Sequence, residues 1–372
     1  MVTASHNPAE YNGIKVITEG GRDALSEVTD RFEKIISQGV SPELLEFDKG
    51  VNTGIINIID PNNDYIDSII NIIDMDAIRK KGLRVLIDPM FGVSKTTLQA
   101  ILVTARCDVD TINDRRDPLF GGRLPAPSRE TLSWLRRMVL EEGYDIGIGT
   151  DGDADRVGII DNIGNFISPN EILMLLYSYL IRYKGWQGDC VRNVATTHML
   201  DKIALAHGFK CHEVPVGFKH ISSAMEAFDA IIGGESSGGL TIKGHIRGKD
   251  GIFASALIVE MLCVTGETIP ELLADIAQRY GKTSRSEFDT KFTQTKKEEL
   301  MHLIFDEKKL PEFSHAVDKI SYLDGCKVYF QNGGWILVRF SGTEPLLRLC
   351  SEMETREEAD AQIAVMREFL SL

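Results

Sequence analysis

No stretch of this chain approaches 18 consecutive apolar residues, so no segment qualifies by length as a membrane-spanning helix. The N-terminus has no basic segment followed by an apolar one, so no secretory signal is read there and a cytoplasmic location is expected. Runs of Lys and Arg are missing too. The 372 residues carry a formal net charge of −14, with a pI of about 5.1. A nucleic-acid binder needs a basic face, so neither nucleic acid nor membrane is expected as a partner. The six cysteines, at positions 107, 190, 211, 263, 326 and 350, form no CxxC pair and read as reduced core thiols. Low-complexity sequence is absent. An anionic ligand must therefore be gripped by a few local cations against the overall field.

Hydrophobic residues make up 43% and charged residues 26%, ordinary for a globular protein, and the length suggests two to four domains. Tyr11–Thr18 reads as a strand, and Asp23–Ser37 as an amphipathic helix with Leu25, Val28, Phe32, Ile35 and Ile36 on one face. Residues 39–63, with Pro42, Gly50, Gly54 and Pro61, read as a connection. Strand–helix alternation then begins at Leu83–Asp88 and continues through Ser94–Val103, Tyr144–Gly149, Val157–Asp161 and Asn170–Arg182. It restarts at Val191–Thr196 and ends in a strongly apolar helix over Gly251–Val264. Such alternation predicts mostly parallel sheets with active loops at strand C-termini. The tail differs: strands over Gly325–Gln331, Gly334–Phe340 and Leu346–Ser351, then a helix over Thr355–Leu370, read as a small α+β domain.

Five loops carry chemistry. Ser5 and His6 stand on a turn fenced by Pro8, and a Ser hydroxyl can carry a phosphoryl group if the phosphate is neutralised and positioned. Asp151, Asp153 and Asp155 repel one another unless a cation sits between them, and hard oxygen ligands of this kind suit Mg²⁺. An EF-hand is excluded because Arg156 and Asn162 stand where Gly and Glu are required. A dinucleotide site at Gly147–Gly152 is excluded because a strand follows rather than a helix. Gly233-Gly-Glu-Ser-Ser-Gly-Gly239 offers a carboxylate and hydroxyls suited to sugar hydroxyls. His245-Ile-Arg-Gly-Lys-Asp-Gly251 places Arg247 and Lys249 before the apolar helix, where a Lys could shuttle protons. Arg339-Phe-Ser-Gly-Thr-Glu-Pro345 combines a guanidinium, hydroxyls and a Gly-permitted backbone nest, a phosphate cradle in type, and Arg348 could add a second cation.

Taken together, TASHNP, DGDADR, GGESSGG and RFSGTEP resemble the phosphoserine, metal, sugar and phosphate loops of the α-D-phosphohexomutase superfamily, in that family's order. Pro215-Val-Gly-Phe-Lys219 is similar to its third-domain turn. The resemblance covers essentially the whole chain. It implies a multi-domain α/β architecture of three mixed-sheet domains, the first incomplete, plus a C-terminal α+β domain. The expected boundaries are 1–57, 58–185, 186–290 and 291–372. It also implies an isomerase that interconverts hexose 1-phosphate and hexose 6-phosphate through phosphoserine and a hexose 1,6-bisphosphate. Ser5 would be phosphorylated and would bind Mg²⁺ together with Asp151, Asp153 and Asp155. Glu235 and Ser237 would bind sugar hydroxyls. Arg339, Ser341, Gly342 and Thr343 would hold the distal phosphate, with Arg156 and Arg247 as further substrate-binding cations. Glucose 1,6-bisphosphate would serve as activator and hexose phosphates as the partners.

Within the family, the bifunctional phosphomannomutase/phosphoglucomutases tend to end the sugar loop in His, where this chain has Gly239. HIRGKDG instead resembles the phosphoglucomutase segment HIREKDG. Glucose is therefore favoured, with Lys249 as the acid/base group and His6 as second candidate; mannose or glucosamine phosphates are the alternatives. The family places most of an α/β domain before its phosphoserine loop, and this chain starts at that loop. Residues 1–57 are thus expected to expose sheet edges and core surface, to fold weakly and to support weak activity. A sugar-phosphate-binding fragment and a Mg²⁺ phosphatase are the competing readings.

Overall fold

The computed structural model describes residues 1–39, 41–341 and 346–372. Internal packing distinguishes two units: residues 1–168 with 238–269, and residues 169–237 with 270–372.

The first unit is built on a five-stranded sheet in the order Asp108–Thr111, Arg84–Asp88, Ile146–Thr150, Val157–Asp161, Phe166–Ile167. The first three strands are parallel, with Ile87 opposite Ile148. Residues 85–88 and 146–150 are buried throughout, as strands covered on both faces must be. The return strand Val157–Asp161 is antiparallel, pairing Thr150 with Val157. The sheet is thus mixed rather than mostly parallel. Residues 151–156 are too few for the crossover that a parallel neighbour needs, so they form a hairpin loop instead. Helix Ser133–Glu142 covers one face, where Leu132, Leu135 and Val139 pack with Leu86, Met90 and Ile160. Helix Gly251–Thr265 is apolar all round because it is buried from Gly251 to Leu262. It packs on helices Met75–Lys81 and Ser94–Thr104, and Asp250 caps it by accepting from Phe253 N at 2.9 Å.

The first sixty residues depart from expectation. The strand read over Tyr11–Thr18 shrinks to Ile17–Thr18, paired with Arg22–Asp23, plus an isolated bridge between Val2 and Ile14. A two-stranded ribbon is the least that pairing can sustain, and it leaves most of the segment's backbone without a ladder. The helix forms over Ser26–Ser37, yet none of its residues is buried. Its apolar stripe faces solvent, with Ile36 74% exposed. Residues 39–63 are more than a connection, since they contain helix Phe47–Asn52 and the start of helix Asn62–Ile70.

The second unit holds parallel strands in the order Ile232–Gly234, Cys190–Asn193, Cys211–Val214. It also holds an antiparallel sheet in the order Ser284–Lys291, Leu346–Met353, Trp335–Phe340, Cys326–Phe330, Val317–Ser321. Helix Arg356–Leu370 packs on that sheet and starts with a capping box between Thr355 and Glu358. A cluster of charged groups centres on two buried cations of this unit, Arg192 and Lys327. Lys327, 1% exposed, donates from Nζ to Val194 O at 2.6 Å, to Glu213 Oε2 at 2.7 Å and to His198 Nε2 at 2.9 Å. Arg192 donates to the same Glu213 oxygen at 2.5 Å and to Asp201 Oδ2 at 2.6 Å. Each charge is paired, as burial demands.

Burial, reinforced by the Arg192 and Lys327 charges, holds His198 down at about 3. An unfolded His titrates near 6.5, so between those values the unfolded chain binds a proton that the fold refuses. This contribution is complete above pH 6.5 and is lost progressively on acidification, at up to about 1.4 kcal/mol per pH unit. Relative to wild type, His198→Gln should therefore lose less melting temperature between pH 7.5 and pH 5. An unchanged slope in that variant would assign the acid sensitivity to other groups.

Candidate active site

Ser5 owes its presentation to a compact turn. Asn7 N donates to Ala4 O and Tyr11 N to Pro8 O, each at 3.0 Å. Ser5 itself takes φ 51°, a left-handed conformation that costs a non-glycine residue on the order of 1 kcal/mol. Its N–H donates to Thr3 Oγ1 at 2.8 Å. The result aims Ser5 Oγ at two groups: His6 Nδ1 at 3.2 Å and Asp151 Oδ2 at 3.3 Å. The turn and the hairpin loop meet closely. A Cβ on Gly152 would lie 2.7 Å from Ser5 O, so only glycine fits there.

The hairpin loop gathers Asp151, Asp153 and Asp155 so that one oxygen from each lies within 4.8 Å of the others. Burial first, then the charges of Asp155 and Asp153, push Asp151 up to about 7. Burial also works against ionised Asp155, but the Lys249 and Lys15 ammoniums outweigh it and hold that carboxyl down at about 2. Asp153 Oδ1 and Asp155 Oδ1 are buried with no hydrogen-bond partner. Three convergent carboxylates, one of them destabilised as an anion and two with orphaned oxygens, fit a hard divalent cation.

Cations surround this cage. Lys15 Nζ lies 2.9 Å from Asp155 Oδ2 and 3.3 Å from Asp153 Oδ2. Lys249 Nζ reaches the same Asp155 oxygen at 2.8 Å. The stem of Lys249 occupies the space that a side chain at position 239 would need: a Cβ on Gly239 would stand 2.1 Å from Lys249 Cδ. Gly239 and the placement of Lys249 are thus one feature. Arg156 stands beside the cage, its Nε 3.7 Å from Asp155 Oδ1 and 3.9 Å from Asp151 Oδ2. Arg247 seats its backbone on the short hairpin, donating to Gly20 O at 2.9 Å. Burial, with Arg156 and Lys249 nearby, lowers His6 to about 4, so its ring is neutral near pH 7.

The second unit carries the other predicted residues. Glu235 Oε1 accepts from Gly217 N at 2.9 Å and from Asn193 Nδ2 at 3.2 Å, while Ser237 Oγ donates to Oε2 at 3.3 Å. Asp324 fixes Arg339 through a 2.9 Å contact to Nε. A cavity of about 160 Å³ is lined by Asn193, Ser236, Ser237, Arg285, Glu287, Asp289, Arg339 and Arg348, among others. Ser341 N donates to Leu346 O at 2.8 Å. Gly342 and Thr343 lie outside the described residues. Sequence reasoning passed over Thr3, Lys15, Asn193 and Arg285. Nothing local marks them, although a Lys two residues past Asn12-Gly13 could have been flagged as a cation close to the Ser5 turn.

Sequence models of the phosphoglucomutase/phosphomannomutase family match along the chain: alpha/beta/alpha domain I over residues 1–42, domain II over 63–164, domain III over 168–280 and the C-terminal domain over 300–368. A phosphoglucomutase/phosphomannomutase of Thermococcus kodakarensis is 34% identical over 374 residues, spanning 100% of this chain and 76% of that protein. A phosphoglucosamine/phosphogalactosamine mutase of Sulfurisphaera tokodaii is 29% identical, spanning 97% and 77%. A solved phosphoglucomutase/phosphomannomutase family protein of Burkholderia thailandensis superposes with a TM-score of 0.81 at 20% identity, covering 100% of this chain and 75% of that one.

A cage under like-charge strain makes a stability prediction. Millimolar divalent cation should raise the melting temperature of the wild-type chain by several degrees. Asp151→Asn should melt higher than wild type at pH 8 without cation, because a carboxyl held near 7 is a destabilising anion there. It should also lose the cation response. A variant that melts lower without cation, or still responds to it, would show that the three carboxylates are not a cation site.

Proposed function

The chain belongs to the α-D-phosphohexomutase superfamily, and from that membership we propose that it interconverts hexose 1-phosphate and hexose 6-phosphate through a phosphorylated Ser5, with glucose preferred. The observation that carries this reading is the position of Ser5 Oγ, 3.3 Å from one carboxylate of a three-carboxylate cage and flanked by a neutral imidazole.

Asp151, Asp153 and Asp155, with the Ser5 phosphate, would hold Mg²⁺. When bound, that cation offsets negative charge on the phosphoryl oxygens. The chain's own groups do the rest. The phosphoryl group passes from Ser5 Oγ to a free hydroxyl of the hexose phosphate; the P–O bond to Ser5 breaks as the bond to the sugar oxygen forms. The sugar hydroxyl loses a proton while the departing Ser5 Oγ gains one, and Lys249 is the acid/base group that relays it. His6 Nδ1 is the second acceptor, adjacent to Ser5 Oγ. The hexose 1,6-bisphosphate then returns its other phosphoryl group to Ser5, and the same base restores the proton. Glu235 and Ser237 contact sugar hydroxyls, and Arg339 with Ser341 holds the phosphate that is not reacting. A fixed cradle of this kind lowers the barrier by positioning and by preset charge. Lys249 and Gly239 support the glucose preference, while glucosamine phosphate is the alternative suggested by the aminosugar-mutase relative.

The test is conversion of glucose 1-phosphate to glucose 6-phosphate with Mg²⁺ and a trace of glucose 1,6-bisphosphate, beside parallel assays of mannose and glucosamine phosphates. Ser5→Ala should lower kcat on the order of 10⁴-fold or more. Equal rates for the two proteins, or no turnover of any of the three sugars, would sink the reading. Faster turnover of glucosamine phosphate than of glucose phosphate would transfer the preference to aminosugars.

A further inference from the structure

Glu235 does not orient itself. Both of its Oε1 partners are fixed: Gly217 N belongs to the backbone, and Asn193 Nδ2 comes from the end of the central parallel strand. Asn193 is in turn locked by its other amide atom. Its Oδ1 accepts from Ala195 N at 2.9 Å and from Thr196 Oγ1 at 2.8 Å. Thr196 Oγ1 also accepts from Ser236 N at 3.1 Å. Residues 193–196 therefore form a bracket that holds residues 235 and 236 at two points.

Three groups of the antiparallel sheet hold the bracket and the residues just after it, two of them, Lys327 and Glu352, buried. Lys327 Nζ donates to Val194 O at 2.6 Å. Arg285 donates to the next carbonyl, Ala195 O, at 2.5 Å. Glu352 Oε1 accepts from His198 N at 2.8 Å and from Trp335 Nε1 at 3.2 Å. Two cations on consecutive carbonyls are an expensive way to hold a loop, because each must be desolvated. An apolar side chain at 327 would fill the space at less cost. Lys327 also stacks over Trp335, 4.2 Å from the ring centroid, so its ammonium has little freedom to leave Val194.

We infer that Lys327 is a positioning residue for the sugar-binding carboxylate: through Val194 and the Asn193–Thr196 bracket it fixes which oxygen of Glu235 is left for a sugar hydroxyl. With Oε1 committed to Gly217 and Asn193, Oε2, which takes only the longer 3.3 Å bond from Ser237 Oγ, is the oxygen presented. The inference rests on the mutase reading for its consequence, but not for its geometry. Loss of the grip lets the 193–196 loop relax and Glu235 rotate.

The test has an arm that needs no substrate. In Lys327→Met, hydrogen exchange of the Gly217 and Ser236 amides should accelerate at least about tenfold, while amides of the antiparallel sheet keep their protection. Lys327→Arg should restore much of the loss. Acceleration everywhere, or no change at Gly217 and Ser236, overturns the inference. The second arm is a double-mutant cycle on glucose 1,6-bisphosphate binding. K327M should weaken binding about tenfold when Glu235 is present and less than about twofold in the Glu235→Gln background. Equal factors in both backgrounds assign Lys327 a general structural role and overturn the proposal. Failure of the wild-type chain to bind the bisphosphate would sink the mutase reading instead, and the exchange arm would still decide this one. If K327M does not fold, Thr196→Val takes its place. It removes the hydroxyl that ties Asn193 to Ser236, and it must accelerate Gly217 exchange, an amide it does not touch, for the bracket to stand.

Discussion

Repulsion among three carboxylates governs the first unit. Bringing Asp151, Asp153 and Asp155 within 4.8 Å costs free energy that a solvated acidic turn would never accept. The surroundings answer that cost one group at a time. Lys15 and Lys249 converge on a single oxygen of Asp155. Thr3 Oγ1 donates to Asp153 Oδ2 at 2.9 Å while accepting the Ser5 N–H, so the hydroxyl that relieves the cage also fixes the Ser5 turn. Gly152 lets the Ser5 turn approach, and Gly239 lets the Lys249 stem through. The loop itself is held by a backbone contact, Gly251 N to Ala154 O at 2.8 Å, at the start of the most buried helix in the unit. A charged cage is thus anchored to the least polar element nearby.

The second unit solves the opposite problem. There the charges are already paired, and the question is why they are buried at all. Arg192 and Lys327 are buried against Glu213, Asp201 and His198, and each of the two cations would be costly alone. Well-packed apolar residues could replace such a set with little loss of stability, so stability is a poor explanation for it. Directionality is a better one: an ammonium held against Val194 O and a guanidinium held against Ala195 O define a loop conformation that dispersion forces would leave loose.

The first sixty residues follow neither logic. Helix Ser26–Ser37 has a clear apolar stripe and buries none of it. Helices take most of their stability from packing such a stripe, so this element is held chiefly by local hydrogen bonds. The seating of Arg247 N on Gly20 O ties the short hairpin to the loop that carries Lys249. Even a sparsely packed segment is therefore coupled to the placement of the basic groups.

The amino-acid sequence by itself determined the family, the order of the loops and most of the regular elements. Those rest on local chemistry: period-2 and period-3.6 apolar patterns, turn residues, and motifs whose spacing survives any packing. Ser5, the three aspartates, Glu235, Lys249 and Arg339 could be marked as candidates for that reason. The polar edge strand Ser284–Lys291 was not, because half of it faces solvent and its pairing with Leu346–Met353 is non-local. Lys15, Thr3, Asn193, Arg285 and Lys327 were not either. Each is an ordinary residue in its own neighbourhood and acquires a role only when a partner more than a hundred residues away, or a shared loop, is folded against it. Tertiary structure alone decided which carboxylate is destabilised, which oxygen of Glu235 is committed and that the Lys249 stem fills the space beside Gly239. Those properties depend on distances between segments far apart in the chain, and such distances are not written into any local pattern.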